Sequence, residues 1–437
     1  MRYLLSALLA LACLVLPSLT LAQAAPGPAV EQVMMQTVVA EHERHIDLLE
    51  RLVNQNSGTL NLPGVRAVGD IVRAELEPLG FEVRWVDMTE AGRAGHLIAT
   101  HPGPGRNVLL IAHLDTVFEL DSPFQRFERN GDVATGPGIG DDKGGIVVII
   151  AALRAMQAAG TLDDANVTIV LTGDEERAGT PLSIARRDLI AAGRVADYAL
   201  EFENLAVGDG QDYATIARRS SANWTLTTSG RSGHSAGVFS DALGYGAIYE
   251  MARILDRFRR ELPEPNLTFN VGVMAGGTPA VIDADGFRVE ASGKTNIVAG
   301  IAIARGDIRT LSVEQEARVR AQMQAIVSDH LPMTHAELTF GEGGYPPMAP
   351  TEGNLALLDR LNAVNRDLGL PTMNLLDPGL RGAADSSFVA ADVDTLAGLG
   401  VAGSGAHALG ETVDLNSLLR SAQRAAVLIT RLSLGSQ

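Results

Sequence analysis

Cysteine is nearly absent from this sequence. The 437-residue chain has one cysteine, Cys13, inside the apolar stretch LLSALLALACLVLP near its amino terminus. This stretch follows Arg2 and precedes Ala22-Gln23-Ala24, an order typical of a secretory signal peptide with a small-residue cleavage site. We expect cleavage after Ala24 and a secreted, periplasmic mature protein. That protein would contain no cysteine, which excludes disulfides and thiol chemistry.

Positive charge is also scarce, with 35 Lys and Arg residues against 52 Asp and Glu residues and a formal net charge of −17. A nucleic-acid partner is therefore not expected, because such proteins present a basic patch or stripe. Beyond the signal peptide the sequence has no uncharged apolar run of the roughly 18 residues that a membrane span needs. No membrane association is expected of the mature form. The length and the 46% hydrophobic content predict a globular protein of two domains.

The first half of the chain has the pattern of an α/β domain. Residues 108–114 and 167–173 are short apolar runs bounded by turn residues, typical of strands buried on both faces of a sheet. The stretch 144–160 between them is helix-like. Strand, helix and strand in this order predict a crossover in an α/β sheet. A further strand is predicted at 196–202.

The pattern changes near Arg218. Alternating and apolar runs now predict strands at 224–230, 267–274, 296–309 and 335–340, with helices at 243–262 and 313–328. These elements fit a compact α+β sandwich. We therefore predict a signal peptide at 1–24 and one α/β domain formed by 25–217 and 343–437. The sandwich would be inserted into it at 218–342.

Acidic residues and histidines recur at the predicted ends of successive strands. His113 and Asp115 lie two residues apart, on one face of a strand. The others are Asp141 and Asp142 in GPGIGDDKGG, Asp174, Glu175 and Glu176 in TGDEERAG, Glu201 and Glu203 in EFEN, and His407 in GSGAHALGE. Sites in α/β sheets form at the carboxyl ends of strands. Successive carboxylates are difficult to desolvate together unless a cation compensates them, and histidines with carboxylates suit an open catalytic zinc site.

Each segment also has a second interpretation. His113 and Asp115 would be polar residues at a strand end that faces water. GPGIGDDKGG would be a solvated turn with a helix N-cap, or a phosphate-binding loop. Its adjacent aspartates would repel phosphate, however, and Lys143 is not followed by the Ser or Thr of a P-loop. The acidic run 174–176 would be an exposed turn.

Taken together, HxD, GxGxxDxKGG, DEE, a carboxylate near residue 200 and a late histidine resemble the co-catalytic di-zinc peptidase family. That family contains aminoacylase-1, succinyl-diaminopimelate desuccinylase, peptidase T and the bacterial glutamate carboxypeptidases. The sequence is most similar to the exported glutamate carboxypeptidases, in HLDTV, GPGIGDDKGG, DEE and Phe202-Glu203. The resemblance implies a zinc-exopeptidase-type catalytic domain with a mixed sheet and helices on both faces. The inserted α+β sandwich would be a lid and dimerisation domain.

The resemblance also implies two zinc ions per chain. His113, Asp141 and Glu203 would hold one ion. Asp141, Glu176 and His407 would hold the other, so that Asp141 is shared between them. Such ions would lower the pKa of a water molecule towards neutrality and polarise the scissile carbonyl.

The implied reaction is hydrolysis of the amide bond to a C-terminal amino acid in a small peptide or N-acyl amino acid. Glu175 would be the general base, and Asp115 would orient the histidine ligand behind the metal. From the lid, His234 would reach the oxyanion, in a homodimer from the neighbouring subunit. Asn296 would contact substrate, and Arg309 would bind its terminal carboxylate.

The same scaffold leaves other functions open. An aminoacylase or a dipeptidase would use the same zinc site, and an inactive metal- or peptide-binding protein would need the ligands alone. The presence of Glu175 argues against the inactive protein, because binding does not require a base.

The sequence departs from the family at one position near the substrate. The glutamate carboxypeptidases have an arginine where this chain has Tyr345, in GGYPPMAPTEG. Arg381, in GLRGAADSS, is our candidate for the missing positive charge and therefore for substrate binding. Asp385 in the same segment would be supporting structure. The departure puts a strict preference for glutamate in doubt.

Overall fold

The structure is a computed structural model, and it describes residues 27–283, 288–341 and 343–435. The expected signal peptide, its cleavage site and Cys13 lie outside the described residues. No helix within the described residues combines the length and the apolar character that a bilayer span requires.

Helices and strands alternate through most of the chain. The helices are α1 (Pro28–Ala40), α2 (His42–Asn54), α3 (Leu62–Leu76), α4 (Gly144–Ala158), α5 (Leu182–Ala185), α6 (Arg187–Gly193), α7 (Ala247–Glu261), α8 (Val313–Ser328), α9 (Glu352–Asp367) and α10 (Leu415–Leu434). The strands are β1 (Glu82–Asp87), β2 (Gly95–His101), β3 (Asn107–His113), β4 (Glu128–Asn130), β5 (Val133–Thr135), β6 (Asn166–Thr172), β7 (Tyr198–Glu201), β8 (Ala206–Gly208), β9 (Gln211–Ala214), β10 (Ala222–Gly230), β11 (Thr268–Phe269), β12 (Val273–Gly277), β13 (Ala280–Ile282), β14 (Val289–Ala291), β15 (Ile301–Arg309), β16 (Thr334–Phe340), β17 (Asn374–Leu375), β18 (Thr395–Leu396), β19 (Gly403–Ser404) and β20 (Thr412–Asp414).

A six-stranded sheet in the order β1, β2, β6, β3, β7, β18 lies at the centre of the α/β part. β3 pairs in parallel with β6 and with β7, and β18 pairs in parallel with β7. β1 and β2 are antiparallel to each other, and β2 is antiparallel to β6. The sheet is therefore mixed, as predicted. The connection from β3 to its parallel neighbour β6 contains α4, the predicted crossover helix.

Both faces of this sheet are covered. Alternate residues of a strand point to opposite sides of the sheet, so the two sets of β3 side chains show what covers each face. Val108, Leu110 and Ala112 of β3 belong to a large apolar core that also contains residues of α4 and α10. Leu109 and Ile111 of the same strand belong to a smaller core with residues of α6. The uninterrupted apolar run of β3 thus reflects burial on both faces, and the predicted α/β class is confirmed.

A second, antiparallel sheet joins β15 to β10, β11 and β12, and β10 to β16. α7 and α8 pack against it around a core of their own, which includes Trp224, Met251, Phe258, Met323 and Leu338. All members of this core lie between residues 222 and 340, inside the predicted insertion. The domain limits at 217/218 and 342/343 stay a prediction.

The sequence patterns indicate no strand at β2, although it lies inside the main sheet. Its sequence GHLIATH contains polar residues that interrupt the apolar run. One of them, His96, is fully buried: Nδ1 accepts the N–H of Gly173 at 3.1 Å, and Nε2 donates to the carbonyl of Ala185 at 2.8 Å. The single strand predicted at 267–274 is likewise two short strands, β11 and β12.

A candidate metal centre at the carboxyl ends of the parallel strands

Three neighbouring parallel strands end at one edge of the main sheet. β3 ends at His113, β6 at Thr172 and β7 at Glu201. The segments that follow β6 and β7 contain the acidic residues 174–176 and Glu203. Because the strands are parallel and adjacent, these polar side chains meet at the same edge, as in other α/β sheets.

His113, Asp141, His407 and Glu176 form a continuous series of contacts there. Nε2 of His113 lies 2.9 Å from Oδ1 of Asp141, and Nε2 of His407 lies 3.3 Å from Oδ2 of the same carboxylate. Nε2 of His407 is also 3.0 Å from Oε2 of Glu176. Ligand atoms of His113, Asp141 and Glu176 all lie within 4.8 Å of one another. Asp141 therefore contacts one histidine with each of its oxygens, as a ligand shared by two ions would.

The donor set of this site fits metal ions. Oε1 of Glu176 is buried and has no hydrogen-bond partner among the described residues, and burial raises the pKa of this carboxyl to about 7. Hydrogen bonds to Asp141 and Glu176 raise the pKa of His407 to about 10. Burial alone would lower the pKa of His113, but hydrogen bonds to Asp115 and Asp141 raise it well above its usual value. Positive charge is thus favoured between these carboxylates, and a divalent cation supplies it in place of protons.

Asp141 is presented by a glycine-rich loop that another loop holds in place. Gly138 has a φ of 66°, a left-handed conformation that favours glycine. The buried carboxylate of Glu411 accepts the backbone N–H groups of Gly138, Gly140 and Asp141 at 2.8, 2.8 and 2.9 Å. Glu411 lies four residues after His407. The loop that contains His407 and Glu411 therefore contributes one candidate ligand, His407, and also fixes the backbone of another, Asp141.

Asp115 lies beneath the site and makes two kinds of contact. Nδ1 of His113 donates to the backbone carbonyl of Asp115 at 3.0 Å, and the Asp115 carboxylate is 3.5 Å from the same nitrogen. The carboxylate itself accepts the N–H groups of Glu175 and Glu176 at 3.0 and 3.2 Å and the hydroxyl of Thr59 at 2.6 Å. Asp115 thus fixes the tautomer of His113 mainly through its backbone, while its side chain holds the next acidic segment.

Glu175 and Glu203 follow the ends of β6 and β7, and neither belongs to the described group of ligand atoms within 4.8 Å of one another. Burial raises the pKa of Glu175 well above its usual value, and the like charges of Glu203, Asp385 and Glu176 act in the same direction. The carboxylate of Glu203 contacts the guanidinium of Arg218, which also binds Glu201 at 2.5 Å.

Four buried charges around the site were missed in the sequence. They are Lys143, Arg186, Arg218 and Glu411. Their partners come from other parts of the chain, as when Nζ of Lys143 donates to the carbonyl of Gln55 at 3.1 Å. Lys143 follows two aspartates in DDKGG and Arg218 precedes a second arginine in ATIARRSS, so no local signal marks either residue as buried.

The predicted lid residues lie on the second sheet and its loops. His234 forms a β-bridge with Ile297, which brings Asn296 next to the histidine loop. Nε of Arg309 binds Oδ2 of Asp307 at 3.0 Å, two residues earlier in the same strand. The described structure gives none of His234, Asn296 and Arg309 a contact with the metal-binding group, so their roles stay predictions.

Arg381 does not contact Tyr345 in the described structure. Nη2 of Arg381 donates to the carbonyl of Asn204, and Nε lies 3.3 Å from the hydroxyl of Thr215. The guanidinium beside the Tyr345 hydroxyl belongs to Arg186, at 2.9 Å. That Arg381 supplies the missing positive charge and binds substrate stays a prediction.

Comparison with known proteins assigns the family. Residues 109–431 match the sequence profile of Peptidase family M20/M25/M40. The chain belongs to this family. It is 28% identical over 413 residues to carboxypeptidase G2 of Pseudomonas sp. strain RS-16, covering 93% of each chain. The recognition made from the motifs is confirmed.

Solved structures share the fold. Aminopeptidase PepT from Bacillus cereus superposes with a TM-score of 0.71 at 19% identity, over 90% of this chain and 98% of that one. A dinuclear metal-binding peptidase of the M20 family from Bacillus subtilis gives a TM-score of 0.62 at 16% identity, over 90% and 98%. These structures show the shared fold, and the family match shows that the protein is an M20-family hydrolase, a metal-dependent peptidase.

Proposed function

We propose that this protein is an exported zinc carboxypeptidase that hydrolyses the amide bond to a C-terminal amino acid. The observation that carries the proposal is the Asp141 carboxylate, which contacts His113 and His407 with its two oxygens beside Glu175 and Glu176. The similarity to carboxypeptidase G2 extends over 93% of both chains and supports the carboxypeptidase class.

Five side chains would hold the two zinc ions. His113, Asp141 and Glu203 would bind one ion, and Asp141, Glu176 and His407 the other. His407 has a φ of 64°, and a left-handed backbone at a non-glycine residue is a strained conformation that clusters at functional sites. Such a conformation supports a functional role for the loop that presents His407.

Glu175 would move the proton in this reaction. When bound, zinc ions lower the pKa of a water molecule and polarise a carbonyl group. The carboxylate of Glu175 accepts the proton of the attacking water and then delivers it to the leaving nitrogen. The N–H groups of Glu175 and Glu176 are fixed by Asp115, so the base and a neighbouring ligand are held by one carboxylate.

Export and dimerisation are part of the proposal. Export is supported by the signal-peptide pattern in residues 1–24, and sequencing the amino terminus of the secreted protein tests cleavage after Ala24. Dimerisation is supported by the likeness of the inserted sandwich to a family dimerisation domain, and light scattering of the purified protein tests it.

The decisive experiment compares Glu175→Gln with wild type on a panel of N-acyl amino acids and dipeptides, including benzoyl-glutamate and substrates with neutral C-terminal residues. We expect two zinc ions per chain in both proteins and turnover in the wild type alone. Glu352→Gln, at an exposed position of α9, is the matched control and should retain full activity. Turnover by Glu175→Gln at the wild-type rate would refute the base assignment, and an absence of zinc binding would refute the metallopeptidase site.

A further inference from the structure

A fully buried guanidinium lies beneath the segment that contains the proposed base. Arg186 precedes α6 and has no exposed surface. Nη1 donates to Oδ1 of Asp174 at 2.6 Å, and Nε forms an ion pair with Oδ1 of Asp385, 2.8 Å away, without hydrogen-bond geometry. Both carboxylates are buried as well. Their charges compensate the arginine, so it remains ionised in the interior and available as a hydrogen-bond donor.

Tyr345 connects this arginine to the backbone of Glu175. Nη2 of Arg186 donates to the Tyr345 hydroxyl at 2.9 Å, and the hydroxyl donates to the carbonyl of Glu175 at 2.7 Å. A tyrosine hydroxyl has one proton to donate, and this geometry assigns it to the carbonyl. The ring is held in place by Phe388, with centroids 4.9 Å apart.

The peptide groups around Glu175 are therefore held from both sides. Asp115 accepts the N–H groups of Glu175 and Glu176. Nη2 of Arg186 donates to the carbonyl of Asp174 at 3.1 Å, and Tyr345 binds the next carbonyl. These bonds fix the backbone from which the side chain of Glu175 extends. A catalytic group that is held in this way loses little order when it reacts.

We propose that Tyr345 is a positioning residue for Glu175, and that the buried Arg186 holds the Tyr345 hydroxyl in the orientation that fixes the Glu175 peptide. The Tyr345 side chain extends to the Glu175 carbonyl, and the buried guanidinium of Arg186 polarises its hydroxyl. The catalytic part of this inference rests on the proposed role of Glu175 as the base. The structural part, that the hydroxyl fixes the Glu175 peptide, does not depend on that role.

The test uses the zinc-loaded full chain with Tyr345→Phe, which removes only the hydroxyl. Tyr198→Phe is the matched control, because that hydroxyl also accepts from an arginine, Arg106 at 2.5 Å, but lies at the amino end of β7. We expect kcat of Tyr345→Phe to fall about ten- to a hundredfold with KM within about twofold, because the base is misplaced rather than the substrate. Zinc content should not change.

Amide hydrogen exchange provides a second measurement that does not depend on activity. The peptide containing residues 174–177 should exchange faster in Tyr345→Phe than in wild type or in Tyr198→Phe. Unchanged exchange together with unchanged kcat would overturn the inference. If the wild-type protein hydrolyses no substrate of the panel, the proposed function fails, while the exchange rates still decide whether the hydroxyl holds the Glu175 peptide.

Discussion

Glu411→Gln tests whether the two metal-binding loops are held together by one buried carboxylate. Oε1 of Glu411 accepts two N–H groups, from Gly140 and Asp141, and Oε2 accepts the N–H of Gly138. A glutamine has the same shape but only one acceptor oxygen. If that oxygen keeps the first two bonds, the amide nitrogen faces the N–H of Gly138, and a buried donor is left without an acceptor.

The size of the effect follows from these three contacts. A buried N–H without a partner costs about 1–3 kcal/mol. Burial raises the pKa of Glu411 to about 7, so above that pH the two remaining bonds also lose the strengthening that an ionised acceptor gives them. Burial lowers the pKa of Lys143 to about 7, and the nearby charge of Glu411 opposes that shift. Glu411→Gln removes this charge and so makes the charged form of Lys143 less stable. We expect the free energy of unfolding to fall by about 3 kcal/mol. We also expect zinc to bind about ten- to a hundredfold more weakly, because Asp141 is no longer held in place.

The assay is zinc affinity measured by competition with a chromogenic chelator, together with thermal unfolding of the metal-free protein. Glu250→Gln is the matched control, since Glu250 is also fully buried and accepts a backbone N–H, that of Leu331 at 3.1 Å, but lies on α7 beside the second sheet. It should lose stability and keep the zinc affinity of wild type. The reasoning is refuted if Glu411→Gln binds zinc as tightly as this control.

Three further outcomes are expected. Asp115→Asn should lower kcat about ten- to a hundredfold, because an amide cannot accept hydrogen bonds from every donor that the carboxylate binds. A variant with wild-type kcat would contradict the role of Asp115 in holding the segment of Glu175 and Glu176. Since the pKa values of His113 and His407 are raised, both imidazoles are positively charged near neutral pH, and zinc binding should release about one proton from each. Glu176, whose pKa is raised to about 7, should release a further fraction, and zinc affinity should weaken as pH falls. Calorimetry in buffers of different ionisation enthalpy measures this release, and a pH-independent affinity would count against it. Arg381→Ala should raise KM for carboxylate substrates about tenfold if Arg381 binds them, and an unchanged KM would remove it from the substrate site.

Much of the fold was predictable because local patterns and tertiary burial agree. β3 and β6 consist mainly of apolar residues and are buried on both faces, so their type and parallel pairing follow from the sequence. β2 was missed because its local sequence pattern and its burial disagree. Its buried histidine, His96, satisfies both ring nitrogens with backbone groups at 173 and 185, and no local pattern indicates those partners.

The candidate site likewise contains residues that the sequence indicates and residues that it does not. The proposed ligands lie in short acidic or histidine-containing segments at strand ends, where both chemistry and family resemblance identify them. Arg186, Arg218 and Glu411 were missed, because a charged residue looks the same in a sequence whether it is exposed or buried. The bonds of Glu411 to residues 138–141 span about 270 positions of the chain. Only the folded structure brings those groups together.

The buried cations indicate why metal would bind where it does. Arg186 binds Asp174 and Asp385, and Arg218 binds Glu201 and Glu203, so these buried carboxylates are compensated by the protein itself. Among the described ion pairs, by contrast, Asp141 and Glu176 contact histidines but neither lysine nor arginine.

Buried carboxylates are stable only with a compensating charge, and histidine supplies one only while it is protonated. Arginines thus compensate the charge of the structural acids, whereas the charge of Asp141 and Glu176 is left for a cation from solution to compensate. Glu203 belongs to both groups, since it is a proposed ligand that already contacts Arg218. We therefore expect the ion that includes Glu203 to bind more weakly than the one held by Glu176 and His407, which stepwise zinc titration with element analysis at each step would measure.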